Sequence, residues 1–239
     1  MFTKSLLAIG ITFITACSMH AQEQSAGVKN VDANTFNQLA TSGKGIILDV
    51  RTPEEIATGT IPNASIINFY DEDFVGKINL MNKDKEIYVY CRSGGRSAKA
   101  ADLLVKNGFN KVYNLDGGIT AWQSAGLPVT EATVTADPNI KQMTVEEFNS
   151  VLKTDLPVLV DFHTQWCAPC RQMAPIVDKL EKEFTGKAVI LRVDVDKSKA
   201  VGKAYDVQGV PVFMLFKNGT STWKHTGIIT EEELRKKLN

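Results

Sequence analysis

The run Pro157-Val158-Leu159-Val160-Asp161-Phe162, followed three residues later by Trp166-Cys167-Ala168-Pro169-Cys170, decides how this chain is read. A short apolar run between turn signals is a buried strand. A Cys-x-x-Cys pair that follows a strand and opens a helix is a redox arrangement. Its first sulfur sits at the positive helix end and its second lies one turn further in, close enough to close a disulfide. Zinc would need more ligands, and His163 and His225 stand singly with no second Cys-x-x-Cys, so no metal is expected. A permanent disulfide is the plainer alternative in an oxidising compartment; a strained and exposed pair would be an unusual stabiliser.

Outward from this stretch, about 141–239 carry further strands at Val158–Phe162, Ala188–Val195 and Val212–Phe216, with helices near Val145–Leu152, Ala168–Phe184 and Glu231–Leu238. The last helix has Glu231-Glu232-Glu233 in its first turn and Arg235-Lys236-Lys237 in its last, which complements the helix dipole and reads as a solvated face. Residues 130–140 lack apolar periodicity and read as a linker. Before it, about 28–129 alternate strands at Gly45–Val50, Glu86–Tyr90 and Val112–Leu115 with helices at Ala33–Ala40 and Arg96–Asn107, the latter stopped by Gly108. Both blocks therefore imply α/β layering, and no repeat relates them.

In the first block, Cys91 follows an apolar strand and opens Cys91-Arg92-Ser93-Gly94-Gly95-Arg96-Ser97, after which an Ala-rich helix begins. Adjacent glycines let the backbone curl with its amides inward, and the helix start adds positive dipole. Such a nest lowers a thiol pKa and favours the nucleophilic thiolate. Arg92 and Arg96 add positive charge suited to an anionic substrate. The alternative is an inert buried thiol, for which a glycine-rich, doubly basic loop serves no packing purpose.

The first block resembles the rhodanese family. The likeness rests on Leu48-Asp49-Val50-Arg51-Thr52-Pro53-Glu54-Glu55, on Gly59-Thr60-Ile61-Pro62-Asn63-Ala64, on the six residues Cys91–Arg96, and on Leu115-Asp116-Gly117-Gly118-Ile119-Thr120-Ala121-Trp122 with Gly126-Leu127-Pro128. It implies an α/β domain with a parallel sheet, a persulfide carried on Cys91, and a substrate loop formed by Arg92, Ser93, Gly94, Gly95 and Arg96. The six-residue loop matches sulfur transfer; the related dual-specificity phosphatases use one residue more. Thr60 and Asn63 depart from the usual histidine and glycine. Asp49, Arg51 and Glu54 are expected to make structural ion pairs and caps. A rhodanese fold used only for binding is the rival reading.

The second block resembles thioredoxin, which implies an α/β domain with a mixed central sheet. By this resemblance Cys167 is the attacking thiolate and Cys170 the resolving thiol, their reversible disulfide being the working species. Asp161 falls at the family's buried acid, Trp166 precedes the active pair, and Pro175 sits where the active-site helix kinks. Gly209-Val210-Pro211 matches the cis-proline loop whose backbone binds substrate chains. Lys217-Asn218-Gly219 forms a hairpin turn. Ala168, His163 and Arg192 replace the family's usual glycine, tryptophan and lysine.

The 239 residues suit two domains at roughly 100–200 residues each. With 44% hydrophobic and 23% charged residues the chain is globular rather than disordered or polytopic. Lys+Arg 27 against Asp+Glu 27 leaves no basic excess for a nucleic-acid partner. Four cysteines are too few for a disulfide-rich scaffold. Without a dinucleotide fingerprint or a Walker motif, no cofactor is implied.

Lys4 precedes an apolar run, Leu6–Ala16, too short to span a membrane, so residues 1–16 read as a signal peptide. Ile14-Thr15-Ala16-Cys17 resembles the lipobox of bacterial lipoproteins, which implies lipidation of Cys17 and residues 17–27 as a tether. An ordinary signal peptide cut near Ala21 is the alternative. Either way the mature protein is expected outside the cytoplasm. The expected partners are a small sulfane-sulfur donor, a membrane electron donor for the dithiol, and thiol client proteins.

Overall fold

The computed structural model describes residues 27–131 and 142–239. The signal peptide, Cys17 and most of the linker lie outside the described residues. The first half runs β1 (Gly27–Val31), α1 (Ala33–Thr41), β2 (Gly45–Asp49), α2 (Pro53–Ile56), β3 (Ser65–Ile66), α3 (Phe74–Ile78), β4 (Glu86–Tyr90), α4 (Gly95–Lys106), β5 (Lys111–Leu115) and α5 (Gly118–Ser124). Its five strands form one parallel sheet in the order β1-β5-β4-β2-β3. The apolar runs at β2 and β4 are central and buried, as strands covered on both faces must be. Helix α1 starts where the Asp32 carboxylate accepts the Thr35 amide at 2.9 Å. Gly27, placed in the tether on composition, opens β1.

The second half continues with α6 (Val145–Val151), β6 (Val158–His163), α7 (Ala168–Glu183), β7 (Val189–Asp194), α8 (Lys199–Ala204), β8 (Val212–Lys217), β9 (Thr220–Thr226) and α9 (Glu231–Leu238). Its sheet order is β7-β6-β8-β9: β7 is parallel to β6, and the other pairs are antiparallel. Asn218 and Gly219, both at positive φ, turn β8 into β9. Thr144 and Thr230 begin α6 and α9 with reciprocal capping boxes to Glu147 and Glu233. The chain is thus α/β in two sheets, one parallel and one mixed.

The two halves dock against each other. In parallel pairing with β2, the Ile67 amide donates to Asp49 O at 3.0 Å, so the neighbouring Ile66 amide faces away from the sheet. There it donates to Trp166 O at 3.0 Å. Ser65 Oγ accepts the Ala168 amide at 3.0 Å, and Arg171 Nη2 donates to Ala64 O at 2.8 Å. Further along, the Val210 amide donates to Leu80 O at 2.9 Å. Phe74, Ile78 and Met81 join Trp166, Val195, Val207 and Val210 in one continuous buried apolar cluster.

Candidate active site

Strand β4 ends at Tyr90 and delivers Cys91 to the start of α4, where Gly94 adopts φ +96° and caps the helix. The Gly94 amide points at Cys91 Sγ from 3.2 Å, and Ser97 Oγ lies 3.5 Å away. The loop is held from behind: Ile119 N–H donates to Cys91 O at 2.9 Å, and Thr120 N–H and Oγ1 reach Arg92 O at 3.2 and 3.0 Å. Burial pushes the Cys91 thiol up, but the Ser97 hydroxyl and the amides of Ser97, Ser93 and Gly94 outweigh it and hold the pKa below the ordinary thiol value. This is the setting of a thiolate.

The two arginines part company. Arg96 is clamped by Glu55 through two parallel bonds of 2.6 and 2.7 Å and lies over the Tyr70 ring. The Arg96 hydrogen bond lowers Glu55 to about 2, so this pair is ionised at any ordinary pH. Arg92 is exposed and lines a cavity of about 400 Å³ with Arg51, Glu54, Glu55, Thr120 and Gln123. Asp49 and Arg51 form the buried ion pair expected of them, at 2.6 Å. Glu54, in the first turn of α2, is held below the usual carboxylate range by its own amide and the Thr52 hydroxyl, as a capping residue is, and Glu55 beside it both caps α2 and holds Arg96. Its signal was the Thr52-x-x-Glu55 capping box, with Pro53 between.

Strand β6 carries Asp161 and leads through Trp166 to Cys167, which is the N-cap of α7; Cys167 and Cys170 are joined by a disulfide. The Cys170 amide points at Cys167 Sγ from 3.1 Å, and Val210 O stands 3.8 Å from the same sulfur. The Val210–Pro211 bond is cis, and Pro175 lies inside α7. Cys167 and Cys170 are each only 2% exposed, so the pair is covered, against the expectation of an exposed one. The peptide groups on either side of Cys167 are taken by Ile66 and Ser65 of the first half, a contact that no local sequence pattern announces.

Asp161 is buried, with Arg192 Nε 3.3 Å from Oδ2 and no hydrogen bond to Oδ1 among the described residues. Burial raises its pKa to about 6 against the pull of Arg192. Between about pH 4, where the unfolded carboxyl titrates, and about 6 the folded chain holds the extra proton, so stability falls as pH rises across that window. A shift of this size corresponds to about 3 kcal/mol. Asp161→Asn is expected to flatten the pH dependence between pH 4 and 6 in urea unfolding; an unchanged slope would place the carboxyl in water.

A thioredoxin family model matches residues 139–239, and a model described as a rhodanese-like domain matches residues 32–125. Thioredoxin of Rickettsia bellii is 36% identical over 101 residues, covering 42% of this chain and 94% of that protein. Thioredoxin 1 of Chlorobaculum tepidum is 36% identical over 85 residues, covering 36% of this chain and 84% of that one. A solved structure of Plasmodium falciparum thioredoxin is 31% identical, with a TM-score of 0.38, and covers 41% of this chain and 96% of its own. With the dithiol at the start of α7 and the cradled Cys91 both in place, the chain belongs to the thioredoxin family and carries a rhodanese-like domain ahead of its thioredoxin domain.

Proposed function

We propose that the protein is a sulfurtransferase coupled to a thiol-disulfide oxidoreductase. The two domains support both activities in general. The observation that carries the coupling is a thiolate-stabilising cradle at Cys91 in the same chain as the Cys167–Cys170 disulfide. The Cys91 thiolate attacks the sulfane sulfur of thiosulfate or polysulfide, and sulfite or the shortened polysulfide leaves. Reduced Cys167 then takes the outer sulfur, returning Cys91 to the thiolate. Cys170 attacks Cys167, expelling hydrosulfide and closing the disulfide. The two electrons that reduce the sulfur come from the dithiol, and a membrane electron donor restores it. Tethering puts each site at about millimolar effective concentration for the other when the domains part and the linker permits contact. We further propose an exported protein held at a bacterial membrane through lipidated Cys17; among the described residues no helix is long and apolar enough to cross a membrane.

A second reading makes the protein a general extracytoplasmic oxidoreductase whose rhodanese-like domain acts separately or binds a client. The Glu55 clamp, which takes up one of the two loop cations, favours it. Sulfide assays separate the two. The mature protein with a reductant is expected to release sulfide from thiosulfate or polysulfide and to gain one sulfur at Cys91 by intact mass. No sulfide and no added sulfur would sink the sulfurtransferase reading.

A further inference from the structure

By resemblance to thioredoxin, the backbone of the cis-proline loop, with the peptide bonds beside the dithiol that it faces, is what would meet an extended client chain. In this protein those groups are occupied by the chain itself. Trp166 O takes the outward amide of Ile66, the Ala168 amide takes Ser65 Oγ, and the Val210 amide takes Leu80 O. Arg171 adds a bond to Ala64 O. Near the cis-proline the two backbones press close together. A Cβ on Gly209 would stand 2.9 Å from Asn82 Cα, and Gly209 has φ +76°. At the rim, Lys199 pairs with Asp73, and Lys77 lies 3.9 Å from Asp196.

The geometry points to an intramolecular stand-in. We propose that Ala64–Ile66 and Leu80–Asn82 of the rhodanese-like domain fill the client groove of the thioredoxin domain, and that the dithiol reacts only after the two domains part. β3 is suited to the part. It is an edge strand of two residues whose outer side would otherwise expose unpaired amides and carbonyls, and strand addition is a common way to recognise an extended chain. The external partner that displaces it is therefore an extended polypeptide with a small side chain opposite Ala168.

Sheet order extends the argument to the protein's own sulfur. Cys91 follows β4, Ile66 lies two strands away through β2, and Trp166 lies one spacing beyond Ile66. Three spacings amount to about 14 Å of sheet, with β2 and β3 between the cysteines. A persulfide on Cys91 cannot touch Cys167 in the docked arrangement. This inference rests on the reading of the dithiol as an oxidoreductase site, but its test does not pass through Cys91.

The test follows alkylation of the reduced dithiol by iodoacetamide, read at Cys167 and Cys170 by peptide mass mapping, together with insulin reduction, both on the full mature chain. Ser65→Phe, a wedge at the contact with Ala168, is expected to raise both rates about tenfold as the open fraction grows. Asp73→Lys and Lys199→Glu, each alone, are expected to raise them about threefold, the scale of an exposed ion pair. The double charge swap is expected to return them to wild type. Acceleration in a wedge variant that keeps the wild-type circular dichroism, or acceleration by the single reversals that the swap cancels, supports the proposal. Any other pattern, including wild-type rates in the wedge and both single reversals, overturns it whatever the sulfide assay shows.

Discussion

Cys167→Ser is expected to lower insulin reduction by at least about a thousandfold, the scale of losing a nucleophile. Cys167 is the N-cap of α7, so its sulfur faces the positive end of the helix and the Cys170 amide. A serine hydroxyl in that place stays protonated at neutral pH and cannot open a disulfide. The same variant separates the two chemistries. Cys91 lies in the other domain with its own cradle, so it is expected to load sulfur from the donor at the wild-type rate. Under a thioredoxin-specific reductant the loaded form then persists and sulfide stays at background. The readouts are insulin turbidity, intact mass and sulfide. Unchanged sulfide production in Cys167→Ser would break the coupling between the sites while leaving each separate activity standing.

Gly118→Ala is expected to slow sulfur loading of Cys91 by about a hundredfold, the scale of a small misplacement in a reacting geometry. Gly118 has φ +58°, and a Cβ there would meet Cys91 O and come within 2.6 Å of the Arg92 carbonyl carbon. Both are backbone atoms of the reactive loop, so nothing flexible can yield. The Ile119 and Thr120 amides that brace Cys91 O and Arg92 O follow directly in the chain. Displacing them moves the Gly94 amide and the Ser97 hydroxyl off the sulfur, and with them goes the lowering of its pKa. The midpoint of Cys91 alkylation against pH is therefore expected to rise as loading slows, with insulin reduction unchanged. Wild-type loading in this variant would mean that the loop needs no brace from α5.

The sequence made the site chemistry legible because each reactive cysteine sits in a local pattern: strand, glycine-rich loop and helix at Cys91, strand and Cys-x-x-Cys at Cys167. Central strands were legible for the same reason, since β2, β4, β6 and β8 are continuous apolar runs. β3 was not, because two residues carry no periodicity and owe their strand character to pairing with β2. β1 and β9 are sheet edges with mostly exposed or half-buried residues, so their apolar signal is diluted. The sequence presents Arg96 as a free cation because Glu55, its partner, lies 41 positions away. The contact beside the dithiol is hidden for a similar reason: it is made of backbone groups and a serine hydroxyl a hundred or more residues from the groups they meet.

The Glu55–Arg96 clamp also governs how a donor arrives. A pair ionised at every ordinary pH is a short dipole, whose field fades much faster with distance than that of a lone guanidinium. The chain as a whole carries no net charge. An anion diffusing toward Cys91 is thus drawn, within about a Debye length, by the exposed Arg92 and not by the clamped Arg96. Discrimination at Cys91 then falls to fit at short range, against the inward Gly94 amide and Arg92.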